Sequence, residues 1–275
     1  MTKAPQTSAL EVHEGSVHSA DGTRIGFHRL GWGPPIVFVH GSVSTYTDWM
    51  PVAHLLAPRF TCYAMDRRGR NRSGDGAAYS IEREYEDILA VLAAAGPGTF
   101  LAGHSYGAIC ALGAALRRPV PRMVIYEPPF SAGGPGAVEH VVSYRRAIEE
   151  GNTDRAVEII FRHFIRLTED EIAAMRHTSA WSRLRHLAPT WVREIEAVDA
   201  LPSSVEHYRA ITCPTLILVG AESPEHPLQD SSRALASVLP NGRVVRLPGQ
   251  SHFAMRAAPE LVAGVIGEFL RDGDD

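Results

Sequence analysis

Residues 99–116 read TFLAGHSYGAICALGAAL, and the order of residue types in this stretch decides the fold. Thr99-Phe100-Leu101-Ala102 is short, apolar and suited to a buried strand, while residues 108–116 form an Ala-rich run of high helix propensity. Between them stands Gly103-His104-Ser105-Tyr106-Gly107, a G-x-S-x-G pentapeptide. A Ser on a sharp strand-to-helix turn takes a strained backbone conformation and projects its Oγ clear of the sheet. The two glycines remove side chains that would strike the neighbouring strand and helix. Alone, the pentapeptide recurs by chance in Gly- and Ser-rich chains; the strand before it and the helix after it make it informative.

Outward from this turn, strand-like runs alternate with helical patterns, the signature of a parallel sheet wrapped by helices. Upstream, strands are expected over residues 12–19 and 23–30, joined by Ala20-Asp21-Gly22, then over 36–39 and 60–65. Residues 36–39 are continuously apolar, as a strand buried on both faces requires. Trp49, Val52, Ala53 and Leu56 recur at helical spacing after Asp48, and Pro58 closes that helix. Ser80 is an N-cap for a helix carrying Ile81, Tyr85, Ile88, Leu89 and Leu92 on one face. Asp66-Arg67-Arg68-Gly69-Arg70 reads as a structural turn whose charges pair with each other.

Composition narrows the function classes. The 275 residues are 45% hydrophobic and 21% charged, enough to bury a sizeable core. A net charge of −4 with no Lys/Arg cluster offers no footprint for nucleic acid or an anionic membrane, so the expected partner is a small molecule. The N-terminus lacks the apolar core of a signal peptide, and the longest apolar run, residues 108–116, is about half of the ~18 needed to cross a bilayer. Three cysteines, Cys62, Cys110 and Cys213, lie in or beside apolar stretches and read as small core residues in a reducing, cytoplasmic compartment. Thirteen His are scattered without HExxH or CxxC spacing, so no metal site is expected. No linker divides the chain, no segment repeats, and the oligomeric state is left open.

With these elements in place, the chain resembles the α/β-hydrolase superfamily over about residues 11–271. The resemblance implies an eight-stranded, mostly parallel sheet flanked by helices, with a helical cap inserted after the sixth strand. It also implies serine chemistry without a cofactor. His40-Gly41-Ser42-Val43 is similar to the family's oxyanion loop, with His40 beside the substrate, and residues 215–220 and 243–247 read as the seventh and eighth strands. His252, in the loop after the last strand, stands where the family keeps its base, and a helix over 259–270 closes the fold.

A Ser hydroxyl is a weak nucleophile until a neighbouring base takes its proton, and an imidazole with an ordinary pKa of about 6.5 suits that exchange. Ser105 and His252 are therefore the expected pair. The tetrahedral adduct needs two backbone N–H donors, that of Tyr106 and that of Ser42 or Val43. The third member departs from the family pattern, because Gly220-Ala221-Glu222-Ser223 has Ser223 where the family's Asp is usual. Two acids remain. Glu127, after the strand over residues 123–126, is preferred, since a carboxylate at the C-terminal end of a buried strand sits at the edge where such sheets hold their sites. Glu222 is the alternative.

Residues 131–208 are far longer than the about 2 to 6 of an ordinary connection, and they read as the cap, with 1–130 and 209–275 as the core. The cap opens on Ser131-Ala132-Gly133-Gly134-Pro135-Gly136, a composition expected of a mobile segment, and helices are expected near 137–150, 154–164, 169–178 and 190–198. Phe161, Phe164, Met175, Trp181 and Trp191 are candidate pocket walls, and Arg162, Arg166, Arg176, Arg183, Arg185 and Arg193 a solvated face. The resulting expectation is a serine hydrolase acting on a small ester, thioester or related acyl compound. Alternatives on the same scaffold are a lyase or C–C bond hydrolase using His252 as base, and a ligand receptor with slow turnover.

Overall fold

The computed structural model describes residues 11–130 and 137–271; the expectation for residues 131–136 lies outside them. β1 (His13–His18) and β2 (Arg24–Leu30) make an antiparallel hairpin. Its turn is closed by Ser19 N–H donating to the Thr23 carbonyl at 2.8 Å, with Gly22 at φ 82°, a region glycine enters without a Cβ penalty. β3 (Pro35–Val39), α1 (Met50–Leu56), β4 (Thr61–Met65), α2 (Ile81–Ala95), β5 (Phe100–His104), α3 (Tyr106–Arg117) and β6 (Met123–Tyr126) follow. Next come α4 (Ala137–Glu149), α5 (Thr153–Ile159), α6 (Glu169–Arg176), α7 (Ser179–Leu187) and α8 (Pro189–Asp199). β7 (Thr215–Gly220), α9 (Asp230–Val238), β8 (Gly242–Leu247), α10 (Ala254–Ala257) and α11 (Pro259–Arg271) complete the described chain.

The strands form one eight-stranded sheet in the order β1-β2-β4-β3-β5-β6-β7-β8, parallel from β4 to β8 and antiparallel only at the β1 and β2 edge. Because successive side chains point to opposite faces, the central strands feed two cores. Val37, Val39, Leu101, Ile125 and Ile217 pack with α2, α3 and α9. Ile36, Phe38, Ala102, Val124 and Leu216 pack with α1 and α11 on the other face. Cys110 and Cys62 each belong to one of these cores, and Cys213 is half-buried. A third apolar cluster, including Tyr144, Ile160, Phe161 and Trp181, lies within the helices between β6 and β7. Among the described residues, no helix is long and apolar enough to cross a membrane.

Several boundaries moved. β5 runs two residues past Ala102, since Gly103 pairs with both Val39 and Ile125 instead of ending the strand. Ser80 takes the N-cap position of α2 with extended backbone, though its side chain makes no capping bond. The helix expected over 154–164 stops as an α-helix at Ile159 and widens into a π-helical turn, Ile160–Ile165. α7 was not anticipated; its Ser-, Arg- and His-rich sequence hides a short stripe in which Trp181 and Leu187 are buried.

Candidate active site

Ser105 makes the turn between β5 and α3 alone, at φ 54° and ψ −126°. A non-glycine residue there costs of order 1–3 kcal/mol and persists only where its surroundings over-determine it. They do here. Its N–H donates to the Tyr126 carbonyl at 2.8 Å, tying the turn to β6, and its carbonyl accepts from the Ala108 N–H at 2.9 Å in the first turn of α3. A methyl group on Gly103 would lie 2.6 Å from the Gly107 carbonyl oxygen, and one on Gly107 would lie 2.6 Å from that of Val39. Both glycines thus let α3 start hard against the sheet. Tyr106, the first residue of α3, places its N–H at a helix N-terminus, where backbone donors lack an intrahelical acceptor. The facing loop is equally close, for a Cβ on Gly41 would lie 3.0 Å from that of Ser105.

Glu127 follows β6 with φ 46° and is fully buried. One carboxylate oxygen accepts from the Gly220 N–H at 2.7 Å; the other lies 2.6 Å from Nδ1 of His252. Since a carboxylate accepts, Nδ1 carries the proton and the free lone pair of the ring falls on Nε2. Ser105 and His252 line the same cavity. Glu222 also lines it, but it is exposed at the rim, and its backbone N–H donates to Gln250 at 2.9 Å.

The loop carrying His252 is pinned by two residues that sequence reading did not single out. Nε2–H of His104 donates to the His252 carbonyl at 2.8 Å, and the hydroxyl of Tyr126 donates to the Ser251 backbone carbonyl. The rings of His104 and His252 lie 4.4 Å apart. Burial, reinforced by His252 as a neighbouring base, holds the pKa of His104 well below the ordinary imidazole range, so it stays a neutral donor. His104 occupies a variable position of the pentapeptide, which hid it.

The loop after β3 rests on buried charge. The Arg67 guanidinium donates to Glu84 at 2.6 and 3.0 Å, to Glu194 at 2.6 Å and to the Gly41 carbonyl at 3.1 Å. Arg70 donates to Glu194 as well and to the Thr190 hydroxyl at 2.9 Å. Burial opposes the charge on Arg67, but Glu194 and Glu84 outweigh it and raise the pKa well above normal. The turn arginines therefore pair with acids on α2 and α8 and not with Asp66 of their own turn, correcting the expectation; Arg68 likewise pairs with Asp87 at 2.7 Å. His40 is fully buried, its Nδ1 donating to the Gly41 carbonyl at 2.9 Å and its Nε2 accepting from the Arg67 N–H at 3.2 Å. It pins the loop and does not line the cavity, against the expectation that it meets substrate.

The cavity above Ser105 holds about 630 Å³. Phe164 and Trp191 line it, together with the residues Ser42 and Val43 of the facing loop. Phe161 and Trp181 do not: both belong to the core of the inserted helices, where the Trp181 indole donates to Asp154 at 2.7 Å. Met175 packs against that same cluster. Of the six arginines expected to be solvated, Arg166, Arg176, Arg183 and Arg185 are exposed, and Arg162 pairs with Glu169 at the surface at 2.6 Å. Arg193 instead is half-buried and pairs with Asp75 at 2.7 Å, and Arg166 also lines the cavity. Asp48, also missed, is buried at the cavity wall and accepts from the Ser44 hydroxyl at 2.6 Å; burial raises its pKa.

A family profile described as "Alpha/beta hydrolase family" matches residues 36–265. The chain is 34% identical to an alpha/beta hydrolase of solved structure from Sphaerobacter thermophilus, with a TM-score of 0.82 over 93% of this chain and 100% of that one. It is 28% identical to 2-(acetamidomethylene)succinate hydrolase of Mesorhizobium japonicum over 87% of this chain and 89% of the relative. It is also 28% identical to 2-hydroxymuconate semialdehyde hydrolase of Pseudomonas putida, over 93% of each. With its eight-stranded sheet and strand-turn-helix serine, the chain is an enzyme that belongs to the alpha/beta hydrolase family.

Proposed function

We propose that this enzyme is a serine hydrolase cleaving a small-molecule ester, thioester or related acyl bond through an acyl-enzyme on Ser105. The observation that carries the reading is the buried Glu127–His252 pair, 2.6 Å between oxygen and nitrogen, opening on the cavity that Ser105 also lines. Oγ of Ser105 attacks the carbonyl carbon while its proton passes to Nε2 of His252. The new oxyanion is met by the N–H of Tyr106 and that of Ser42 or Val43, and Glu127 stabilises the imidazolium from the Nδ1 side. The adduct collapses, and the leaving group departs with the proton from Nε2. Water, deprotonated by the same nitrogen, then cleaves the acyl-enzyme and releases the acid. Helices α4 to α8 act as a cap that excludes water and shapes specificity through Phe164 and Trp191. We place the enzyme in the cytoplasm, with a small molecule as its partner.

The test is a serine-directed fluorophosphonate followed by intact mass. One adduct is expected on the native protein and none on Ser105→Ala; an unlabelled native protein would overturn the reading. Steady turnover of p-nitrophenyl butyrate after any burst is expected of a hydrolase, against a receptor that acylates once. A second reading, hydrolysis of a carbon–carbon bond by the same residues, is favoured by the likeness to 2-hydroxymuconate semialdehyde hydrolase along 93% of each chain. Comparing kcat/KM for 2-hydroxymuconate semialdehyde with that for the ester decides between the two.

A further inference from the structure

Glu194 sits on α8, in the inserted helices, yet its carboxylate is fully buried against the turn after β4 and the loop after β3. One oxygen takes hydrogen bonds from both Arg67 and Arg70. The other oxygen, equally buried, has no partner within bonding distance among the described residues. Arg67 in turn holds the Gly41 carbonyl at 3.1 Å and, through its own N–H, the ring of His40. Two arginines face two carboxylates, Glu84 and Glu194, so the cluster is neutral only while α8 is seated. A buried cation left without its partner is strongly destabilising: withdrawal of Glu194 would take the paired carboxylate from Arg70 and leave Arg67 only Glu84, loosening the guanidinium that holds the Gly41 carbonyl.

We propose that Glu194 is a positioning residue: it couples the seating of α8 to the geometry of the Gly41-Ser42-Val43 loop, and so to the backbone donor that this loop offers the oxyanion. The inference rests on the acyl-transfer reading above. A loosened donor harms the transition state more than the bound substrate, so the defect falls on kcat.

The experiment compares native protein, Glu194→Gln, Glu194→Ala and, as a control on the same helix, Glu196→Gln, whose exposed side chain pairs with Arg145. Steady-state kinetics on p-nitrophenyl butyrate are read beside the affinity for an alkyl boronic acid and hydrogen exchange of the peptide spanning residues 40–46. Removing an oxyanion donor costs about 10² to 10³ in kcat, so Glu194→Ala is expected to approach that loss, and Glu194→Gln, which keeps an acceptor, roughly tenfold. KM should stay within about twofold, boronate affinity should fall alongside kcat, and the loop should exchange faster. Glu196→Gln should match the native protein. Where Glu194→Ala does not fold, Glu194→Gln decides. A change in KM alone, or unaltered loop exchange in Glu194→Gln, overturns the proposal. Failure of the native protein to react with fluorophosphonate would instead sink the acyl-transfer reading, and loop exchange would still judge the hold of Glu194 on the loop.

Discussion

Replacing Glu127 by Gln changes one oxygen to an NH₂ group and almost nothing else in volume, which makes it the sharpest probe of the site. The carboxylate accepts on both sides, from the Gly220 N–H at 2.7 Å and from Nδ1 of His252 at 2.6 Å. A Gln can satisfy only one of these. If its carbonyl stays on Gly220, the NH₂ faces Nδ1, which must give up its proton and accept; the proton then sits on Nε2, and the lone pair facing the serine is gone. If the amide flips, its NH₂ opposes the Gly220 N–H, leaving buried donors unsatisfied at a cost of about 1–3 kcal/mol. The first arrangement forces the wrong tautomer, for which a loss of about 10⁴ in kcat is on record in a serine triad. We expect 10³- to 10⁴-fold here, or about 4–5.5 kcal/mol of barrier at 1.36 kcal/mol per decade. Glu222→Gln, altered at an exposed rim residue, should stay within about twofold of native. Initial rates on p-nitrophenyl butyrate, with melting curves to verify folding, measure both. A Glu127→Gln enzyme keeping more than about a tenth of native kcat, or an equal fall in Glu222→Gln, would refute the assignment.

Gly107→Ala should lower the melting temperature and activity together, because its methyl would lie 2.6 Å from the Val39 carbonyl oxygen and overpacking of this kind costs about 1–3 kcal/mol. Trp181→Ala and Trp191→Ala should diverge. The first removes a buried ring from the inserted helices and costs about 3–5 kcal/mol of stability by urea unfolding. The second opens the cavity wall and changes KM by more than kcat. Stability should fall as pH drops below 6.5, because burial holds both His40 and His104 well under that value, and the unfolded chain then binds the protons that the native state refuses. Each contributes roughly 1.36 kcal/mol per pH unit until its own native pKa is reached, and His104→Asn should flatten the urea midpoint between pH 7 and 5. An unchanged slope in that variant would refute the linkage.

The strand-turn-helix around Ser105 was legible because its determinants are local: an apolar run, two glycines and a helix-forming run within residues 99–116. The same holds for the central strands β3 to β7, whose largely apolar stretches follow from burial on both faces, and it sufficed for the family. Which carboxylate reaches His252 was a different kind of question. Glu127 and Glu222 both follow adjacent strands, and only the pairing of β6 with β7 and the backbone twist at Glu127 aim one of them at a ring 125 residues away. Periodicity put Phe161, Phe164 and Trp191 on helical faces, but not on which side the cavity lay, and Trp181 fell between the expected helices. The inserted helices need a core of their own, and it claimed Phe161 and Trp181. Glu194 left no trace at all. Sequence alone therefore determined the nucleophile's turn and the sheet that carries it, through nearest-neighbour sterics and apolar pattern. Only the tertiary structure decided what touches what across long separations, because a buried charge finds its partner in space, and Arg67 and Glu194 are 127 residues apart along the chain.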